Sequence, residues 1–282
     1  MAFPPILRLC KLNWLRYAAA RKTLKHLSDG PSRKLFMQHV RKQLSFTRLA
    51  VPTDAGAPPV ELRIRELHGK PVWCRSGLSD LGVVYDTFEG QYHLPPPDLR
   101  PVRAILDLGS NIGLTIAHLA ESYPEARILG VELDHANFEL CRRNIQSYGG
   151  RCEVLHGAVW HEAGEVPYGG GRESGYAVNL ALGAQVRATA PALTVDSLIE
   201  RLGVNEIDYV KMDIEGAEKE VLRNAGAWLP RVRCIKVEVH PEKASTLYTM
   251  GMCVDDLERH GMRCEIDARH HACVIGRRAD AD

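Results

Sequence analysis

Between residues 60 and 67 apolar and charged positions alternate, with Val60, Leu62 and Ile64 interleaved with Glu61, Arg63 and Arg65. A period of two predicts a strand with one buried face. "HGKP" then turns the chain and "VWCR" returns it, so residues 60–76 are expected to form a small antiparallel hairpin. Ser79 stands where it would cap a short helix through "DLGVVYDTFEG", which "LPPPDLRP" ends. From residue 102 the rhythm changes to short, nearly continuous apolar runs: "AILDLG", "ARILGVEL", "CEVLHGAV", "IDYVKMDI" and "CIKVEVH". Such runs suit parallel strands covered on both faces. The stretches between them carry helical spacing, as in Leu114, Ala117, His118 and Glu121, or Phe138, Cys141, Ile145 and Tyr148 before Gly149. Strands alternating with helices predict an α/β fold with an open, doubly wound, mostly parallel sheet. Near the end "VDDLERHG" predicts a helix stopped by Gly261, and "MRCEIDARHHACVIGRR" a terminal hairpin with His270 and His271 solvated in its turn.

Charge divides the chain further. Residues 1–50 hold eleven Lys or Arg and one acid, Asp29, although the whole chain is only +1. We expect three parts: a basic helical arm (1–50), a hairpin and helix (51–101, opened by the breaker-rich "PTDAGAPP") and a core domain (102–282). Leu, Trp and Tyr interleaved with Arg and Lys in "ILRLCKLNWLRYAAARKTLKHL" suit an amphipathic helix on an anionic membrane surface, a nucleic-acid contact, or an extension packed on its own domain. With 45% apolar and 25% charged residues, the chain is neither disordered nor fibrous. Its eight scattered cysteines lack a C-x-x-C pair and no cleavable signal peptide precedes them. Reduced thiols and a cytoplasmic protein, peripheral to a membrane if the arm binds one, are the expectation.

In a sheet of this kind ligands sit at the carboxyl ends of the strands. The first apolar run ends at Asp107 and enters a turn with Gly109, Asn111 and Gly113. Asn is the residue type after Gly that best tolerates positive φ, so the turn is permissible backbone chemistry. The second run ends at Glu132, nineteen residues beyond Gly113, where a carboxylate can accept ribose hydroxyls. The dinucleotide fingerprint nevertheless fails at two of its three glycines. A nucleoside with a cationic amino-acid tail and no phosphate suits the turn better, because the acid Asp107 then attracts.

The fourth run carries Lys211 and Asp213 on one side, with Val210 and Met212 on the other. Glu215 and Glu218 follow, placed for the positive end of a helix dipole. On the fifth run Lys236, Glu238 and His240 share a side, and His240 stands where a neutral imidazole would accept a proton. Asp213, Glu238 and His240 form an alternative divalent-metal set.

The set "LDLGSNIG", "GVELD", "ALTVDSL", "VKMDIEGAE" and "VEVHPE" resembles the FkbM family of S-adenosylmethionine-dependent methyltransferases over roughly residues 102–275. The resemblance implies a class I methyltransferase (Rossmann-like) fold, a seven-stranded sheet whose last strand is antiparallel. It also implies O-methylation of a sugar, glycolipid or secondary metabolite, with S-adenosylhomocysteine as product and no metal demanded. Asp107, Gly109, Asn111 and Gly113 would then surround the methionine part of the cofactor, Glu132 its ribose, and Ala158 and Val159 its adenine. Asp213 would lie near the transferable methyl, His240 would be the candidate base, and Lys211 and Glu238 would complete the catalytic set. The partner is then a small-molecule or glycan acceptor, with nucleic acid disfavoured. The basic arm and the "YGGGRESGYAVN" loop (168–179) depart from the family, the loop as an acceptor lid or a surface insertion. The rivals are an RNA or protein methyltransferase using the arm, a nicotinamide oxidoreductase, and a non-catalytic nucleoside-binding module.

Overall fold

The structure is a computed structural model that describes residues 18, 20–45, 58–75, 79–169, 177–178, 186–241 and 247–278. The start of the basic arm and most of the 168–179 loop lie outside the described residues. The chain forms two compact units, residues 1–91 and 92–282. The described part of the arm packs with the hairpin inside the first unit. There Leu27 bridges Ile64, and the Ser28 amide donates to the Arg63 carbonyl at 2.8 Å.

That first unit contains helix α1 (Gly30–Ser45) and the hairpin of β1 (Val60–Arg63) and β2 (Pro71–Cys74), paired antiparallel with Leu62 opposite Val72. The period-two alternation does what it predicts: Leu62 and Ile64 are buried while Glu61 and Arg63 are exposed. Helix α2 (Asp80–Tyr85) runs on into a wide π turn, Asp86–Gly90. Ser79 does not cap it through its side chain. The neighbouring Asp80, fully buried, instead accepts the Arg75 amide at 2.7 Å and its guanidinium at 2.9 and 3.0 Å.

The second unit is built on seven strands: β3 (Ala104–Leu108), β4 (Arg127–Glu132), β5 (Cys152–His156), β9 (Ile207–Met212), β10 (Val232–Glu238), β11 (Met262–Ile266) and β12 (Cys273–Arg278). Their order is β11-β12-β10-β9-β3-β4-β5. The five from β10 to β5 are parallel and β12 alone runs against β10, the arrangement expected from the sequence. Helices α3 (Leu114–Ser122), α4 (His135–Ile145), α5 (Val195–Leu202), α6 (Glu218–Arg223) and α7 (Met250–Arg259) make the crossovers. One sheet face packs Leu106, Leu108, Val210, Met212, Ile235 and Val237 against Leu198, Ile199 and Leu257. Residues of opposite parity on the same strands face the other side, and that side carries the charged row described below.

One strand is shorter than its apolar run. "CEVLHGAV" leaves the main sheet at Gly157, and Ala158–Val159 form β6 of a separate three-stranded sheet with β7 (Gly164–Gly169) and β8 (Val186–Leu193) in the order β6-β8-β7. A continuous apolar run fits either one buried strand or two short ones, so hydrophobicity alone does not mark the break.

Candidate functional site

The site is the carboxyl edge of the parallel strands, where adjacent registers bring three charged residues into line. Asp107 on β3 stands opposite Lys211 on β9, and Lys211 opposite Lys236 on β10. Asp107 is fully buried. Its Oδ2 accepts the Thr115 hydroxyl at 2.6 Å and its Oδ1 lies 3.5 Å from Lys211 Nζ. Lys211 Nζ also donates to the Gly109 carbonyl at 2.6 Å and approaches Asp213 Oδ2 at 3.4 Å. Burial pulls the ammonium down, but Tyr92, Asp213, Asp107 and Glu238 outweigh it and hold Lys211 well above the ordinary lysine value. Asp107 thus supports the turn from beneath through Lys211.

The turn itself is left-handed at Gly109 (φ +85°), Asn111 (φ +49°) and Gly113 (φ +81°). A Cβ on Gly109 would stand 1.8 Å from the Asp213 carbonyl oxygen, and one on Gly113 2.7 Å from Cys141 Sγ. Both glycines are thus required by the protein's own packing before any ligand is considered. Gly109→Ala combines strain with a backbone clash and is expected to destabilise by more than about 2 kcal/mol. A urea denaturation midpoint unchanged from wild type would refute that close approach.

Glu132, at the end of β4, is tied to the same turn. Its Oε2 accepts the Asn111 amide at 2.7 Å, and its Oε1 the Asp134 amide at 2.9 Å and the Asn137 side chain at 3.3 Å. Burial pushes its carboxyl up to about 7 against those donors. A carboxylate has about four lone-pair sites, so with three donors in place about one remains for a hydroxyl of a ligand. Ala158 and Val159 are buried, at 1% and 4% exposure, in the three-stranded sheet and the main core respectively. At the sheet edge itself stand His156 and Gly157. The half-buried His156 ring is 5.5 Å from Phe138 and 5.2 Å from His135.

Around the ends of β9 and β10 lies a carboxylate cluster centred on His240. Its Nδ1 is 2.8 Å from Glu218 Oε1, and its Nε2 is 3.6 Å from Asp213, 3.4 Å from Glu215 and 4.0 Å from Glu238. Glu218 is the first residue of α6, but Glu215 precedes the helix in a left-handed conformation (φ +56°), so only Glu218 occupies the helix start. Glu218 Oε2 also accepts the Gly216 amide at 2.9 Å. Burial pulls the imidazole down, yet the hydrogen bond to Glu218 and the charges of Asp213, Glu218 and Glu215 push it up to about 9. The surroundings therefore favour an imidazolium at neutral pH, through four carboxylates that the linear sequence does not show converging. Glu238 is raised as well: burial and repulsion by Asp213 push it up to about 7, despite His240 and Lys211.

Asp213, Glu238 and His240 offer one donor atom each, all within 4.8 Å of one another, and could hold a cation. Lys211 and the His240 imidazole supply positive charge to the same cluster. Acids nevertheless outnumber bases along the edge, and a hydroxyl-accepting carboxylate stands on β4. This donor chemistry fits a nucleoside with a cationic tail.

Tyr92, absent from the sequence reading, completes the edge. Its half-buried ring centre lies 5.9 Å from Lys211 Nζ and 5.5 Å from the His270 ring. His270 is half-buried, 3.3 Å from Cys273 Sγ, whereas His271 is exposed. Only the second matches the solvated turn expected. No described helix is long and apolar enough to cross a membrane, and the seven described cysteines are free thiols.

Comparison with known proteins adds three kinds of likeness. The model of the methyltransferase FkbM domain matches residues 107–263. The AMB antimetabolite synthetase AmbE of Pseudomonas aeruginosa is 28% identical over 218 residues, which is 63% of this chain but only 10% of that protein. Among solved structures, an O-methyltransferase family protein from Burkholderia thailandensis aligns with 99% of this chain and 72% of its own at 11% identity and a TM-score of 0.45. The pyocyanin biosynthetic protein PhzM aligns with 71% of this chain and 58% of its own at 14% identity and a TM-score of 0.41.

Proposed function

This chain belongs to the FkbM methyltransferase family, and from that premise we propose that it transfers a methyl group from S-adenosylmethionine to a hydroxyl of a small-molecule or glycan acceptor, such as a sugar, glycolipid or secondary metabolite. When bound, S-adenosylmethionine supplies a methyl carried on sulfur: the acceptor oxygen forms the new bond to carbon, the S–C bond breaks, and its electron pair stays with sulfur as the thioether. Glu132 would accept a ribose hydroxyl at its remaining acceptor site, and the Gly109–Gly113 turn with Asp213 would hold the cationic tail. The end of β5, with His156, Gly157, Ala158 and Val159, would flank the base.

The observation that carries the reading is the pairing of Glu238, near 7, with Lys211, whose ammonium is held charged beside the buried Asp107 at the same sheet edge. A hydroxyl must lose its proton as its oxygen attacks, and the most effective base has a pKa near the working pH. Glu238 meets that condition when ionised. His240, already protonated, cannot accept the proton and instead offsets the negative charge of its four neighbours. We expect His240→Ala to move the acid limb of the pH–rate profile to higher pH, since Glu238 loses a cation 4.0 Å away. Disappearance of the limb in that variant would return the role of base to His240.

Thermal denaturation with S-adenosylhomocysteine, S-adenosylmethionine and NAD in parallel tests the cofactor. A ligand at 100 times its Kd stabilises by about 2.7 kcal/mol, so the first two should raise the melting temperature and NAD should not. A shift with NAD alone would overturn the proposal in favour of an oxidoreductase.

A further inference from the structure

Lys236 was singled out by its strand position, and methyl transfer as derived above leaves it unused. It is 6% exposed and stands one strand over from Lys211. Its Nζ donates to the Leu94 carbonyl at 2.8 Å and lies 2.7 Å from Asp267 Oδ2. These two partners belong to different walls of the crevice. Leu94 lies in the segment that enters the core, whose backbone is pinned a second time where the Tyr209 hydroxyl donates to the His93 carbonyl at 2.9 Å. Asp267 opens the turn between β11 and β12, where it also accepts the Arg269 amide at 2.8 Å. That turn runs past the end of β10, because the Val239 amide donates to the Ala272 carbonyl at 2.9 Å. One buried ammonium therefore fixes Tyr92 from one side and His270 from the other, and their rings meet at 5.5 Å.

The wall so formed is uncharged. Burial holds the Tyr92 phenol well above its ordinary value and the His270 imidazole below its own. The lysines behind it are committed to Asp267, Asp107 and Asp213. In front stand Asp213, Glu215 and Glu238, each partly exposed. Among the described residues the two lysines at this edge are already paired with acids, so a phosphate or carboxylate on the acceptor would meet carboxylates there, whereas the C–H face of a ring can lie on Tyr92 with a hydroxyl directed to Glu238.

We infer that Lys236 is a positioning residue that holds Tyr92 and His270 as the acceptor-side wall, and that this wall selects an electrically neutral, hydroxylated ring as methyl acceptor. The inference rests on the methyltransfer reading for its use of Glu238, but its test does not depend on turnover. The full chain saturated with S-adenosylhomocysteine would be examined by saturation-transfer NMR with methyl glucoside, methyl rhamnoside, myo-inositol and glucose 6-phosphate as probes. We expect transfer to ring protons of at least one neutral probe and about tenfold less to the phosphate. Tyr92→Ala and Lys236→Met should each weaken it by about fivefold, and Lys236→Arg should keep most of it. Calorimetric affinity for S-adenosylhomocysteine should remain within about twofold throughout. The inference is overturned by no transfer to any neutral probe, by stronger transfer to the phosphate, by unchanged transfer in Tyr92→Ala, or by cofactor affinity falling in step with it. Transfer that persists in wild-type protein unable to bind S-adenosylhomocysteine would instead remove the cofactor reading and leave the wall standing.

Discussion

Lys211→Met is expected to lower the melting temperature by about 6 to 20 °C, because it leaves Asp107 charged, fully buried and without its cation. Breaking a buried pair by removing one partner typically costs about 3–5 kcal/mol, and each kcal/mol shifts the melting point of a domain this size by about 2–4 °C. Thr115 gives Asp107 one hydrogen bond, and its other oxygen has only the ammonium at 3.5 Å. The companion test is the double substitution Lys211→Met with Asp107→Asn, which removes the charge rather than stranding it and should recover most of the loss. A circular-dichroism melt of Lys211→Met within about 2 °C of wild type would show that Asp107 is hydrated or protonated in the folded chain.

Glu238→Gln is expected to cut kcat by about 100- to 10,000-fold, the usual worth of a general base, with affinity for S-adenosylhomocysteine nearly unchanged. The sign of the pH dependence follows from its carboxyl near 7 and from His240 near 9. A base must be ionised to accept a proton, so the rate rises as pH climbs through about 7. Above about 9 the imidazolium is lost and its neighbours stand uncompensated, so the rate falls. The two groups interact, and the limbs belong to the cluster as a whole. Glu238→Gln should erase the lower limb along with the rate. Survival of that limb would assign proton transfer to another group.

The strands of the core and the glycine turn were legible because local rules specify them. Nearly continuous apolar runs placed Asp107, Glu132, Asp213 and His240 at or next to their carboxyl ends, and in the structure the fifth strand stops two residues short of His240, at Glu238. What stayed hidden depends on contacts between distant residues. Tyr92 is held by side chains 116 and 142 residues away from its neighbours His93 and Leu94, and no periodicity announces it. The charge of His240 depends on Glu218, 22 residues earlier, folding back beneath it. The break at Gly157 was concealed because two short buried strands and one long one share the same composition. A signal was present at "IEGAE", where Gly216 beside Glu215 allows the left-handed step that turns a carboxylate toward His240.

The bonds from Glu132 to the Asn111 and Asp134 amides have a thermodynamic consequence. The loop proposed to receive the nucleoside is folded by the protein's own acid, so its ordering entropy is spent during folding rather than at binding. Association should therefore resemble the docking of a rigid key, with a heat-capacity change set by the apolar area the ligand itself covers. Selectivity at this end of the crevice then arises from which hydroxyls a fixed carboxylate can still accept, and adaptation to a new acceptor falls to the opposite wall.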